Sequence, residues 1–261
     1  MKAAPHGEWA VPDLRQPWFE PYASHAPDVF DAVARGASVS EALNGQAARI
    51  ELAAGVLRFV PPGSAPADEA YEAFIARTAC VPTRDNLHDL FNGLAWLRFP
   101  RIKRRLNELQ AAEIARMGIG ASRGPLRDAL TLFDENGALF DAPPVLQDAL
   151  IARDWQSLFI QHRAKWAQAR VVVFGHALLE KLAVAPRKAL TAHVLLTPPS
   201  APWREDFDAS LASALHSEWF AAKPFSPLPV MGIPGWNGES ENFSFYDDSD
   251  VFRPAGRQKK P

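Results

Sequence analysis

Proline placement constrains this chain more than any other feature. It has 23 prolines in 261 residues, roughly 9 % against a usual figure of about 5 %. They gather in Pro5–Pro27, Pro61–Pro66, Pro198–Pro202 and Pro224–Pro234. Each proline fixes φ and removes a backbone donor, so the clusters read as straps and the regular structure must lie between them. The whole chain is 48 % hydrophobic and 22 % charged, with a formal net charge of −2. Such a chain has apolar material for a core and is neither a disordered polymer, a collagen-like repeat nor a disulfide scaffold. Its near-neutral balance also speaks against whole-surface nucleic-acid binding and leaves only local basic patches.

Residues 1–25 mix Trp9, Trp18, Phe19 and Tyr22 with prolines, which predicts an extended arm held on the body by its aromatic rings. Pro27–Ala34 reads as a short helix ended by Gly36, and Ser38 with Glu41 forms a capping box for a second. Arg49–Val60 is β-branched and aromatic and predicts one or two short strands. The sets Tyr71, Phe74, Ile75, Thr78 and Leu87, Leu90, Phe91, Leu94 repeat at i, i+3, i+4, i+7, giving helices over Asp68–Ala79 and Thr83–Leu97. Pro100 suits the first position of the next helix, whose apolar stripe is Ile102, Leu106 and Leu109.

Leu126–Phe140 reads as a β-hairpin, with Asp134-Glu135-Asn136-Gly137 as its turn. Beyond it the pattern predicts helix over Asp141–Ala169 with a break near Asp154, a strand at Val171–Phe174 and a helix at His176–Ala183. A strand at Leu190–Thr197, an amphipathic helix at Pro202–Phe220 and a proline-rich loop complete it. The expected fold is α+β: a helix-rich single domain over 26–252 with a few short strands and proline-rich straps, after the arm and before a polar tail at 253–261.

Cys80 is the single cysteine and cannot form an intramolecular disulfide; it reads as a packing thiol. Met1–Trp18 lacks the apolar run of a signal peptide, and no window approaches the roughly 18 apolar residues of a spanning helix. A cytoplasmic protein without membrane contact is the expectation.

Four groups of residues have the composition of a site. Asp85, His88, Asp89 and Asn92 share one helical stripe, where an imidazole and two carboxylates suit general acid/base work or a divalent Zn, Mn or Fe ion. The alternative there is a capped, solvated helix start. His176 and Glu180 stand at i and i+4 on a helix that follows a strand directly, with His193 on the next strand. A metal set of His88, Asp89, His176, Glu180 and His193 needs the two helices to meet; a strand–helix cap and a surface ion pair are the alternative. Arg98, Arg101, Lys103, Arg104 and Arg105 form a basic run beside Trp96 and Phe99 that suits phosphate contact. It starts at a helix N-terminus, where cations oppose the dipole, so a compensating partner is expected, and internal pairs with Glu108, Glu113 or an acidic loop are the alternative to a ligand. Arg123, in Ser122-Arg123-Gly124-Pro125, joins Arg101, Arg104 and Arg105 as a candidate anion contact, set against a turn braced by an Arg–Asp pair.

Four longer phrases resemble one known family: PTRDNLHDLFNGLAWLRFP at 82–100, RGPLRDALTLFDENGA at 123–138, FGHALLEK at 174–181 and PFSPLPVMGIPGW at 224–236. Together they are similar to a bacterial family termed domain of unknown function 3025, over about residues 70–255. That family carries no assigned activity, cofactor or catalytic residue, so the resemblance implies none. Two functional classes follow from the residues. One is a metal-assisted hydrolase of a phosphoester or similar polar substrate, with Arg101, Arg104 and Arg105 holding its charge. The other is a non-catalytic protein whose 98–105 segment recognises an anionic partner, a small phosphorylated ligand or nucleic acid.

Overall fold

The computed structural model describes residues 9–47, 50–118, 124–196 and 207–254. Their helices are α1 Ala26–Ala34, α2 Val39–Gln46, α3 Tyr71–Thr78, α4 Leu87–Arg98, α5 Pro100–Met117, α6 Pro125–Asn136, α7 Pro144–Ala152, α8 His176–Val184, α9 Phe207–Ala214 and α10 Ser217–Ala221. The strands are β1 Glu51–Leu52, β2 Gly55–Val56, β3 Arg58–Val60, β4 Cys80–Pro82, β5 Gly137–Asp141, β6 Arg170–Val173, β7 Thr191–Leu196 and β8 Phe225–Pro229. The fold is α+β, a helix-rich single domain. One apolar core runs from Trp18, Phe19 and Tyr22 of the arm to Phe252 near the C-terminal end of the described chain. None of the described helices is long and apolar enough to cross a membrane.

The main sheet has the order β6-β5-β7-β8. β5 runs antiparallel to β6 and parallel to β7, and β8 closes the edge antiparallel to β7. The inner strand β5 is buried at Gly137, Ala138, Leu139 and Phe140, as a strand covered on both faces must be. Gly137 of β5 stands opposite His193 of β7, and Ala138 opposite Val173 of β6. The start of β5, the end of β6 and the start of β7 therefore share one end of the sheet. Helices α6 and α8 meet there, and the cluster described below sits at their junction. A small parallel pair, β3 with β4, holds the chain leading into α4.

Several local expectations give way to tertiary packing. The hairpin expected over Leu126–Phe140 is instead helix α6 followed by β5. Asp-Glu-Asn-Gly has turn chemistry, but Ala129, Leu130 and Phe133 bury a helical stripe against the sheet, and that burial decides. The 224–236 stretch is not all loop: Phe225–Pro229 is an edge strand, where prolines without N–H groups are tolerated. Leu228, Val230 and Ile233 are buried, which makes the segment a fixed strap. The helix expected over Pro202–Phe220 is two, split at Leu215-His216, with its first residues outside the described chain. The arm is not wholly extended, because Pro17–Tyr22 winds into a 3₁₀ turn. Cys80 lies half-buried on β4, with its thiol directed to the Thr78 carbonyl.

Candidate metal centre

Helix α4 begins later than its sequence pattern starts. Asn86 caps it by accepting the Asp89 N–H at 2.8 Å. Asp89 is spent on the same turn: it accepts the Arg84 backbone N–H at 2.6 Å and the Arg84 guanidinium at 2.8 Å. Asp85 points elsewhere and accepts the Val39 N–H of α2 at 2.8 Å. Residues 83–86 are not helical, so the expected i, i+3 alignment of Asp85 with His88 does not form. Leu90, Phe91 and Leu94 are fully buried, and α4 packs against α8.

Helix α8 is placed by two glycines. The Gly175 N–H donates to the Gly137 carbonyl at 2.8 Å. A Cβ on Gly175 would lie 2.5 Å from Gly137 N and 2.6 Å from Asn136 Cα, and one on Gly137 would lie 2.3 Å from the Phe133 carbonyl oxygen. Glycine is required here for close approach, and the result is that the first residue of α8, His176, meets the last turn of α6, Asp134 and Glu135.

His88 Nε2 and His176 Nε2 are 3.1 Å apart. Glu135 Oε1 lies 3.7 Å from His176 Nε2, and one donor atom from each of the three residues falls within 4.8 Å of the others. Two imidazoles bound to one tetrahedral Zn at about 2.0–2.1 Å sit roughly 3.3 Å apart, close to the separation seen. The outer nitrogens explain the arrangement. His88 Nδ1 is 3.0 Å from Glu180 Oε2, a contact that holds the proton on Nδ1 and turns the Nε2 lone pair inward. His176 Nδ1 is buried without a hydrogen bond and faces Asp134 Oδ2 at 3.8 Å. With its proton on Nδ1, His88 turns the Nε2 lone pair toward His176 Nε2, which can donate a hydrogen bond to it or, with its own proton on Nδ1, offer a second lone pair to a shared cation.

Burial acts on these groups in different directions. Burial lowers the pKa of His176, which is 4 % exposed, to about 4, so its ring is neutral at pH 7. Burial raises that of Glu135. For Asp134 burial also opposes ionisation, but nearby Lys103 and His176 outweigh it and hold its pKa below the ordinary value. Lys103 turns inward from α5, only 4 % exposed, and donates to Asp134 Oδ1 at 2.6 Å and Asn92 Oδ1 at 2.8 Å. Asn92 in turn donates to the Tyr71 hydroxyl at 3.0 Å.

The expected site residues thus divide. His88, Asp89, Asn92 and His176 line one cavity of about 470 Å³, with Tyr71, Glu72, Arg84, Asp134 and Glu135 among its other walls. Glu180 stands behind His88 and is outside the close donor set. His193 is not in it either: its ring stacks on Phe225, with centroids 6.4 Å apart. Arg101, Arg104 and Arg105 line a separate surface groove with Glu108 and the α9 residues Ala209, Ala212 and Ser213. There Arg104 and Arg105 pair with Glu108, and Asp208 supplies the partner expected at the α5 N-terminus by accepting the Arg101 and Ile102 N–H groups at 2.8 and 3.0 Å. Arg123 lies outside the described residues; Asp128 of α6 pairs with Lys223. Glu135, Asp134, Lys103 and Tyr71 are additions from the fold. The signal for the first two was present, since Leu126, Ala129, Leu130 and Phe133 have helical spacing and place 134 and 135 in the last turn.

A family described as protein of unknown function (DUF3025) matches residues 57–256, a span that contains every residue of the cluster. Searches among curated proteins and among solved structures gave no match.

Proposed function

The chain belongs to the DUF3025 family of proteins of unknown function, so its activity has to be read from the site itself, and we propose that it is a divalent-metal-dependent hydrolase. The observation that carries this reading is the convergence of His88 Nε2, His176 Nε2 and a Glu135 oxygen within 4.8 Å at the wall of a cavity. Two imidazoles and one carboxylate suit Zn, Mn or Fe(II) and leave coordination positions for water. A metal-bound water is acidic enough to supply hydroxide near neutral pH. Glu180 behind His88 is the kind of partner that fixes a ligand's tautomer and raises its basicity.

The second reading, a non-catalytic protein that holds an anion on the 98–105 segment, rests on the Arg101, Arg104 and Arg105 groove. Arg101 and Arg104 are exposed, Arg105 donates to the Leu215 carbonyl, and Arg104 and Arg105 share Glu108, which favours the first reading. Elemental analysis of the purified, untagged protein decides between them. Near-stoichiometric metal is expected in the wild type and should be lost in His88→Ala, His176→Ala and Glu135→Ala. Absence of metal, together with no thermal stabilisation by added Zn, Mn or Fe, would remove the hydrolase reading.

A further inference from the structure

A chain of hydrogen bonds with only one possible polarity leads into the cavity. Lys103 Nζ can only donate, so the Asn92 atom 2.8 Å away must be the amide oxygen. The Asn92 nitrogen is then the atom facing Tyr71, and it donates to the hydroxyl oxygen at 3.0 Å. The Tyr71 oxygen is used as an acceptor and its own proton must point elsewhere. Among the described residues it donates no hydrogen bond. Lys103 and Asn92 are 4 % and 8 % exposed, which shields the chain from water. Tyr71 itself lines the cavity that also holds His88, Glu135 and His176. Although 39 % of the residue's surface is accessible, burial of the hydroxyl and the nearby Asp89 charge keep the phenol protonated.

The charge of the cavity limits what that proton meets. Glu69, Glu72, Asp89, Asp134 and Glu135 line it, whereas Arg84 is the one lysine or arginine among its described walls. Arg84 is held by Asp89 through two guanidinium nitrogens, at 3.1 and 2.8 Å. Glu69, Asp89 and Asp134 are paired with Arg77, Arg84 and Lys103, so a phosphoester dianion would face Glu72 and Glu135 with the metal as its balancing charge and no uncommitted lysine or arginine among the described walls. An uncharged carbonyl compound needs only one donor beside the metal.

We propose that Tyr71 is a catalytic residue that donates a hydrogen bond to the carbonyl oxygen of an uncharged ester or amide, while Lys103 and Asn92 set the direction of its proton. This rests on the metal-hydrolase reading above. Water is the co-reactant. A metal held by His88, His176 and Glu135 would supply the acidity for the water to give one proton to solvent, and the hydroxide oxygen would bond to the carbonyl carbon. The carbonyl π pair moves onto the oxygen facing Tyr71, where the donor is most effective because charge develops there. That pair then re-forms the carbonyl as the bond to the alcohol or amine breaks, and the leaving group takes a proton from solvent.

The test is calorimetric binding of acetohydroxamic acid, a carbonyl probe neutral in solution near pH 7 that chelates metals as its monoanion, and of inorganic phosphate to the metal-loaded full chain. Wild type is compared with Tyr71→Phe and with Asn92→Asp, whose carboxylate would accept from both Lys103 and Tyr71 and draw the phenol proton away from the cavity. Wild type should bind acetohydroxamate more tightly than phosphate. Both variants should keep full metal stoichiometry and bind the probe about tenfold more weakly, the effect of one hydrogen bond. With any ester or amide the wild type hydrolyses, Tyr71→Phe should lower kcat by about 10²–10³ and leave KM nearly unchanged. Should Tyr71→Phe not fold, Asn92→Asp carries the test. Equal binding by the folded variants, tighter phosphate binding, or no binding of the probe to a metal-loaded wild type would overturn the inference alone. A wild type that takes up no metal removes the hydrolase reading, and this inference with it.

Discussion

Gly175 donates its backbone N–H to the carbonyl of Gly137 at 2.8 Å, and through that contact the first turn of α8 docks on the last turn of α6. The atoms a Cβ at 175 would meet, Gly137 N at 2.5 Å and Asn136 Cα at 2.6 Å, are backbone and cannot rotate aside. Gly175→Ala is therefore expected to cost about 2–3 kcal/mol, at the upper end for overpacking, and to draw His176 away from Glu135. Urea unfolding and metal titration of the same sample check both effects. A wild-type midpoint with wild-type affinity would mean that the junction yields.

Glu180 touches His88 on the nitrogen opposite the cluster, at 3.0 Å from Nδ1. If it orients a ligand without being one, Glu180→Gln should retain metal binding with affinity weakened roughly 10–100-fold. Substitution of Glu135, the ligand proposed, by Gln should cost more. Competition titrations against a chromophoric chelator give the order. Finding Glu180→Gln the more damaging of the two would exchange their roles.

Lys103 is a buried cation between two partners, and removing it strands a carboxylate. Lys103→Met leaves Asp134 enclosed without its 2.6 Å ion pair, a loss of about 3 kcal/mol for a broken buried pair. Lys103→Met combined with Asp134→Asn should recover part of that, because no unpaired charge remains. The measurement is a double-mutant cycle by denaturant unfolding, and additive single effects would contradict the coupling.

Tyr22 gives the arm a pH dependence on the alkaline side. It is 1 % exposed and donates to the Val173 carbonyl at 2.8 Å, and burial pushes its pKa upward, partly offset by Arg98. A group whose pKa is raised by folding adds stability that is complete below its unfolded value, about 10 for tyrosine. That contribution fades as pH climbs above this value, because only the unfolded chain gives up the proton. The loss from one such tyrosine approaches about 1.4 kcal/mol per pH unit. Tyr22→Phe should be less stable near pH 8 by about 1 kcal/mol and should lose less stability between pH 8 and pH 11 than wild type. Parallel slopes for the two proteins would show that Tyr22 titrates normally.

Local features of the sequence determined most of the elements. The Leu87, Leu90, Phe91, Leu94 stripe is helix α4, and Ser38 with Glu41 forms the capping box it spells. His176 opens a helix directly after a strand. These follow from residue spacing and backbone preference, which act over a few residues and are written in order along the chain. Tertiary structure decided which donor atoms converge. It brought in Glu135 and set Glu180 behind His88. It drew Lys103 out of a basic run into the interior, sent Asp85 to α2 and left His193 against Phe225. Each of those outcomes depends on how closely two elements approach. At the centre of the site that distance is set by two glycines, Gly137 and Gly175, whose lack of a side chain matters only once the chain has brought them together.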